Sequence, residues 1–172
     1  MDYEHTLQQS ALLADIRFKL LAFVPTLAGV SIVFLGTNAA PQTALAVGLL
    51  GFIVTIGITF YDIRNTQFYD AIVHRARSLE ALLDLPICSK EKPTGGLFNE
   101  RPGRALKSLG IFAIWHDQGL AMVYGAALGG WALMIAYSSL SLAQHPNYRI
   151  ALAIAVLVGT VCAWQYQRLS GG

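Results

Sequence analysis

Four side chains in this sequence come in pairs that could do chemistry: Asp70 with His74, and His116 with Asp117. Asp70 and His74 are four residues apart, so on a helix they stand one above the other on the same face. A carboxylate beside an imidazole can hold a metal ion or move a proton. All four converging on one pocket would make an enzyme at a membrane face. Neither pair, however, comes with a third ligand at metal spacing, an HExxH motif or a CxxC motif. Cys88 and Cys162 are far apart and supply neither a disulfide framework nor a metal site. An ordinary helix face laced with ion pairs accounts for the same residues. The expectation is therefore a protein that is not an enzyme, with no catalytic residue, no metal and no cofactor; a membrane-face enzyme built on these four residues is the alternative.

A second stretch invites a chemical reading. Gly95 to Arg104, GGLFNERPGR, has the glycines of a phosphate-cradling loop but lacks the GKS or GKT ending, and no strand precedes it with a helix after it. Arg101, Arg104 and Lys107 are better placed to meet lipid phosphates, at about 1 kcal/mol each near an anionic surface. A free anionic ligand on the same three residues is the alternative. Nothing in the charge pattern points to nucleic acid.

The elements that must position these residues are dominated by apolar helices. The 172 residues are 55% hydrophobic and 13% charged, with a mean hydropathy of +0.51, far from a water-soluble domain. Their number suits a single domain, 1–172. Four uncharged or nearly uncharged stretches, at about 18–36, 43–61, 119–138 and 150–164, approach the roughly 20 residues that cross a bilayer. The fold class expected is an all-α integral membrane protein with four transmembrane helices arranged as two hairpins. The second helix continues into the cytoplasm, because no Pro or Gly interrupts the chain between Gly57 and Pro86. A cytoplasmic helix and loop over 62–118 then joins the hairpins. Residues 1–19 read as a short amphipathic helix on the membrane surface, followed by a first span kinked at Pro25, with Thr26 available to satisfy the freed carbonyl. A short interfacial helix is expected over 104–115. The polar, acidic start of the chain does not resemble a signal peptide.

Charge sets the orientation. Eleven of the twelve Lys and Arg residues lie at the entry of the first span, between spans two and three, or after span four; Arg149 is the exception. By the positive-inside rule both termini and the long middle segment are cytoplasmic, in a cell inner membrane. No charge lies deep in a span, which argues against a proton pump or ion-coupled carrier.

Small and polar residues inside the spans suggest packing. Gly125 and Gly129 form a GxxxG motif, and Ala151, Ala155, Gly159 and Ala163 recur every four residues, so helix backbones can approach closely within or between copies. On the cytoplasmic helix, Ile63, Tyr69, Ile72, Val73, Ala76, Leu79 and Leu83 form an apolar stripe that needs a covering partner, Leu79 being its test position. Thr26, Ser31, Thr55 and Thr59 could line an uncharged constriction between copies.

The segment YDIRNTQFYDAIVHRARSLEALL (61–83), placed after short spans, resembles the cytoplasmic helix of SLATT-type transmembrane effectors of bacterial anti-phage conflict systems and of their four-span relatives. Tyr61, Arg64, Tyr69 and Arg75 carry the likeness, which extends over about residues 20–85. The resemblance implies a homo-oligomer that forms a pore, or a membrane sensor subunit, acting when a soluble cytoplasmic partner detects phage. The second hairpin departs from the two-span plan of that group. A passive membrane anchor for a soluble partner is the plain alternative.

Overall fold

Pro41 opens the longest element of the chain at a position where its missing N–H costs nothing. The computed structural model describes residues 2–35, 39–83, 98, 105–108 and 112–170. Along the chain these form α1 (Asp2–Leu35), α2 (Pro41–Leu82), β1 (Ala105–Ser108), β2 (Phe112–Trp115), α3 (His116–Leu142) and α4 (Tyr148–Ser170). Among the described residues, α2, α3 from Gln118 onward and α4 are long and apolar enough to cross a membrane. Only 17% of the most apolar stretch of α2 and of α4 is buried within the protein, against 44% for α3. α3 is therefore the central helix, and α2 and α4 turn outward faces such as Leu49, Leu50 and Ile53, or Leu152, Val156 and Leu157, away from it.

α1 is one helix rather than the separate surface helix and span that the sequence suggests. Pro25 lies within it. Thr26 donates to the carbonyl of Ala22 at 2.7 Å, which is not the Leu21 carbonyl that a proline at 25 leaves without its usual donor. On its first half Leu7 packs against α2, while Leu12 and Phe18 stay exposed. Tyr3 meets Glu80, the Leu13 carbonyl meets Asn65, and Arg17 meets Asp62, so α1 and α2 run antiparallel.

The buried positions explain how two such long helices stay together. On α1, Tyr3, Ser10, Arg17, Val24 and Ser31 are spaced by seven, and each is buried or half-buried. On α2, Asp62, Tyr69 and Ala76 are spaced by seven, as are Thr66, Val73 and Glu80, and all six are buried or half-buried. A seven-residue repeat keeps one seam facing its partner over many turns. Here that seam is half polar.

Inside the bundle, contact is set by small residues. A side chain on Gly125 would put its Cβ 2.8 Å from the Gly159 carbonyl oxygen and 2.9 Å from the Ala163 Cβ, and one on Gly159 would meet the Gly125 carbonyl oxygen at 2.8 Å. α3 and α4 thus touch backbone to backbone. Between α2 and α3, Gly51 makes room for the Trp131 indole, which a Cβ at 51 would approach to 2.6 Å. The Trp131 Nε1–H donates to Thr55 Oγ1 at 2.9 Å, so a buried indole dipole finds its partner inside the bundle.

The connection between α3 and α4 is short and capped. α3 ends with Gln144 at φ 60°, the His145 N–H donating to the Leu140 carbonyl and the Gln144 N–H to the Ser141 carbonyl, a Schellman closure built without glycine. Asn147 Oδ1 then accepts the Arg149 and Ile150 N–H groups at 3.1 and 3.3 Å and starts α4. The helix expected over 104–115 is instead a two-stranded antiparallel hairpin with Ala105 opposite Trp115 and Ser108 opposite Phe112. Phe112, Ile114 and Trp115 are strand-favouring residues.

Candidate functional site

Where the charged half of the α1–α2 pair enters the bundle, each of the four helices contributes one polar side chain to the same spot. Asp62 comes from α2 immediately after its uncharged stretch, and its side chain has no accessible surface. Arg17 of α1 places Nε 3.2 Å from Asp62 Oδ1. Tyr166 of α4 donates its hydroxyl to Asp62 Oδ2 at 2.6 Å and lies 3.5 Å from the Arg17 guanidinium. The Tyr124 ring of α3 stacks on Tyr166 at 5.4 Å, tilted by 35°. Val24, Ile63, Leu120 and Ala121 close around the group. A carboxylate withdrawn from water is expensive unless paired and hydrogen-bonded; here each oxygen has its own cationic or hydroxyl partner. The arrangement holds a charge pair between helices.

Further out on the same helix pair lies a second buried carboxylate. Glu80 accepts the Tyr3 hydroxyl at 2.8 Å on Oε1 and the Phe98 N–H at 2.9 Å on Oε1 and 3.2 Å on Oε2. Burial, reinforced by that carboxylate, pushes the Tyr3 hydroxyl up to about 12, so it remains a donor throughout the physiological range. Arg77 Nε donates to the Phe98 carbonyl at 3.2 Å. The Phe98 side chain is buried with Val73 and Ala76, and Leu7 and Tyr69 pack against them. Within the apolar stripe of α2, Tyr69, Val73 and Ala76 thus pack against Leu7 of α1 and Phe98 of the same chain, whereas Leu83 at its end is exposed.

The residues singled out by the sequence fall elsewhere. His74 is exposed and Asp70 half-buried on α2; His116 and Asp117 open α3, and their side chains lie outside the described residues, as do Arg101, Arg104 and Cys88. Lys107 is in β1, with its side chain likewise outside them. Among the described residues no three His, Cys, Asp or Glu side chains come together. Gly125, Gly129 and Gly159, with Ala155, face one another across α3 and α4, and Ala151 is buried on α4, so this small-residue face is filled within one chain. Leu79 is half-buried on α2. Thr55 is fully buried against Trp131 and Ser31 is buried, whereas Thr26 is exposed. Ser31 and Thr59 each donate to the carbonyl four residues back, which satisfies the hydroxyl within its own helix.

By residue type alone Asp62 and Glu80 belong on a solvated helix face and Tyr166 in an interfacial aromatic belt. The structure buries all three, while Trp164 remains exposed with Arg168 5.7 Å above its ring. The signal that could have found them is the seven-residue spacing of Asp62, Tyr69 and Ala76 and of Thr66, Val73 and Glu80. It is invisible to a reading that looks for apolar residues alone. No family model, no curated protein and no solved structure matches this chain.

Proposed function

We propose that this chain is a membrane sensor subunit that assembles with copies of itself, receiving its signal on the cytoplasmic α1–α2 rod and answering in the membrane, as an effector of a bacterial anti-phage system would. One observation carries the reading: α1 and α2 run unbroken from rod to bundle, and the Arg17–Asp62–Tyr166 contact ties the rod to α4 where they enter it. A change in how α1 lies on α2 then reaches the bundle through rigid helices rather than through a hinge. The resemblance of residues 61–83 to SLATT-type effectors supports the same assignment.

In this reading the apolar part of α1 is the fourth span, the four spans form two hairpins, and the rod and both termini are cytoplasmic at the inner membrane. The distribution of Lys and Arg supports that orientation. The response is an opening between copies. Within one chain the α3–α4 contact is closed at backbone distance and Thr55 is sealed by Trp131, so a conduit has to form at surfaces such as the exposed faces of α2 and α4.

The test combines two measurements. Cells expressing the protein are challenged with phage while a membrane-potential dye is read, and purified protein in liposomes is assayed for ion flux and, in nanodiscs, for particle mass. Depolarisation on challenge together with particles of several subunits is the expected result. A potential that holds under challenge, with no flux and single-subunit particles, would leave a passive anchor for a soluble partner.

A further inference from the structure

The α1–α2 rod carries two further rows of residues at heptad spacing, both outside the buried seam. On α1 the row is Glu4, Gln8, Ala11, Asp15 and Phe18; on α2 it is Tyr61, Arg64, Phe68, Ala71 and Arg75, and every one of these residues is exposed. Alternating steps of three and four mark a surface that packs against another helix. The two rows are opposite in sign. The α1 row holds two carboxylates and no cation, the α2 row two guanidinium groups and no carboxylate. The carboxylates of this half of α2, Asp62, Asp70 and Glu80, are buried or half-buried. Asp15 is bonded to Lys19 one turn on at 2.6 Å, and Arg64 rests on Gln67 and the Phe68 ring. Exposed local contacts of this kind are weak and easily exchanged.

The rows also match in height. Both helices rise equally per residue, so equal steps back along α1 from Arg17 and forward along α2 from Asp62 stay level. The Leu13 carbonyl and Asn65, four back and three on, meet as this requires. Two residues from the Arg17–Asp62 contact, Asp15 is level with Arg64; thirteen residues away, Glu4 is level with Arg75. Six away, the small Ala11 is level with the large Phe68, and one step in the other direction Phe18 is level with Tyr61. One rod cannot join its own two rows, because α1 and α2 already meet through their buried seam.

We propose that the rows bind each other between copies, the α1 row of one subunit lying on the α2 row of the next at the same height. This rests on the self-assembly proposed above and names its contact. Copies in one membrane share an orientation, so a symmetric contact would set Arg64 against Arg64, or Asp15 against Asp15, and like charges repel. The head-to-tail contact instead faces Asp15 with Arg64 and Glu4 with Arg75. Such a contact leaves one row open at each end of a series until the series closes on itself, so the assembly is a ring.

The experiment uses the full chain in its membrane, with Cys88→Ser and Cys162→Ser removing the native thiols. Gln8→Cys with Ala71→Cys, each nine residues from the Arg17–Asp62 contact and therefore level, should give on oxidation a ladder of linked subunits that extends beyond two. Either cysteine alone should give no ladder. Glu4→Arg with Asp15→Arg should cut the ladder about tenfold, since like charges then face each other. Adding Arg64→Asp and Arg75→Glu should restore it, which a misfolded rod would not do. A strong dimer from either cysteine alone, a ladder that stops at two subunits, or charge reversal without effect overturns the head-to-tail ring. Single subunits with both cysteines open to a thiol reagent would leave the rows to a soluble partner and overturn it as well. A ladder without ion flux keeps this contact and removes the opening between copies. Flux from particles of several subunits without the ladder keeps that opening and removes this contact.

Discussion

Arg17 and Asp62 meet at 3.2 Å across the seam between α1 and α2, the carboxylate fully buried and the arginine half-buried. The pair lies where the uncharged stretch of α2 gives way to its charged half, and Tyr166 ties it to α4. Breaking such a pair on one side leaves an uncompensated charge, whereas replacing both partners by apolar residues removes the problem altogether.

Asp62→Ala should therefore lower stability in detergent by about 3–5 kcal/mol, the usual cost of orphaning a buried charge. Arg17→Met combined with Asp62→Leu should recover more than half of that loss. Denaturant unfolding followed by helix content measures both; equal damage from the single and double variants would mean that the pair is not a matched unit.

The α3–α4 contact allows no Cβ. Gly159→Ala should cost about 1–3 kcal/mol, as overpacking of a tight interface does, because the new Cβ would lie 2.8 Å from the Gly125 carbonyl oxygen. Gly130→Ala, with nothing within 4 Å of the added Cβ, should change the thermal midpoint little or raise it. The same order of effect at both positions would contradict the close approach.

Thr55→Val keeps the shape of the residue and removes the acceptor for Trp131 Nε1–H. Leaving that buried donor unmet should cost about 1–3 kcal/mol and shift the tryptophan emission. Unchanged emission and stability would place the indole elsewhere.

Cysteines at Ala40 and at Gln144 should react with an impermeant thiol reagent added outside intact cells, while one at Ser89 should not. Labelling at Ser89 alone would invert the proposed topology.

On the rod, Ala76→Asp should separate α1 from α2, since this position has no exposed surface and lies against Leu7 and Phe98. Gln67→Ala, on the exposed side, should be silent. Protease sensitivity of the segment before Arg17 reports the difference. Leu79→Asp against Arg77→Ala would be a poorer contrast, because Arg77 is engaged with the Phe98 carbonyl.

How much of this was legible depended on which physical signal each part carried. α2 was readable almost to its ends, because a long apolar run followed by an uninterrupted amphipathic run has a single helical interpretation, and Pro41 and Pro86 bracket it. The α3–α4 contact could be anticipated from Gly125, Gly129 and Gly159, although spacing alone did not say whether the partner was the same chain or another copy. Asp62, Glu80, Tyr124 and Tyr166 were not legible as a site. Charged and phenolic side chains read as surface until a partner from another helix is known, and their partners are 45 to 149 residues away for Asp62–Arg17 and Arg17–Tyr166. Phe98 was hidden for the same reason: its environment is assembled by α1 and α2, not by its neighbours in sequence. Strand pairing at 105–115 went unseen because an alternating four-residue run can be read with either period.

The rod is pinned at three heights, Tyr3 on Glu80, the Leu13 carbonyl on Asn65, and Arg17 on Asp62. Between the outermost of these, eighteen residues of α2 rise about 27 Å at 1.5 Å per residue. A piston stroke of one helix along the other by even a single residue would break all three contacts at once. Rolling of the pair about its common axis, or a tilt of both helices together, leaves them intact. The relative motions of α1 and α2 that keep all three contacts are therefore torque and lean, not sliding.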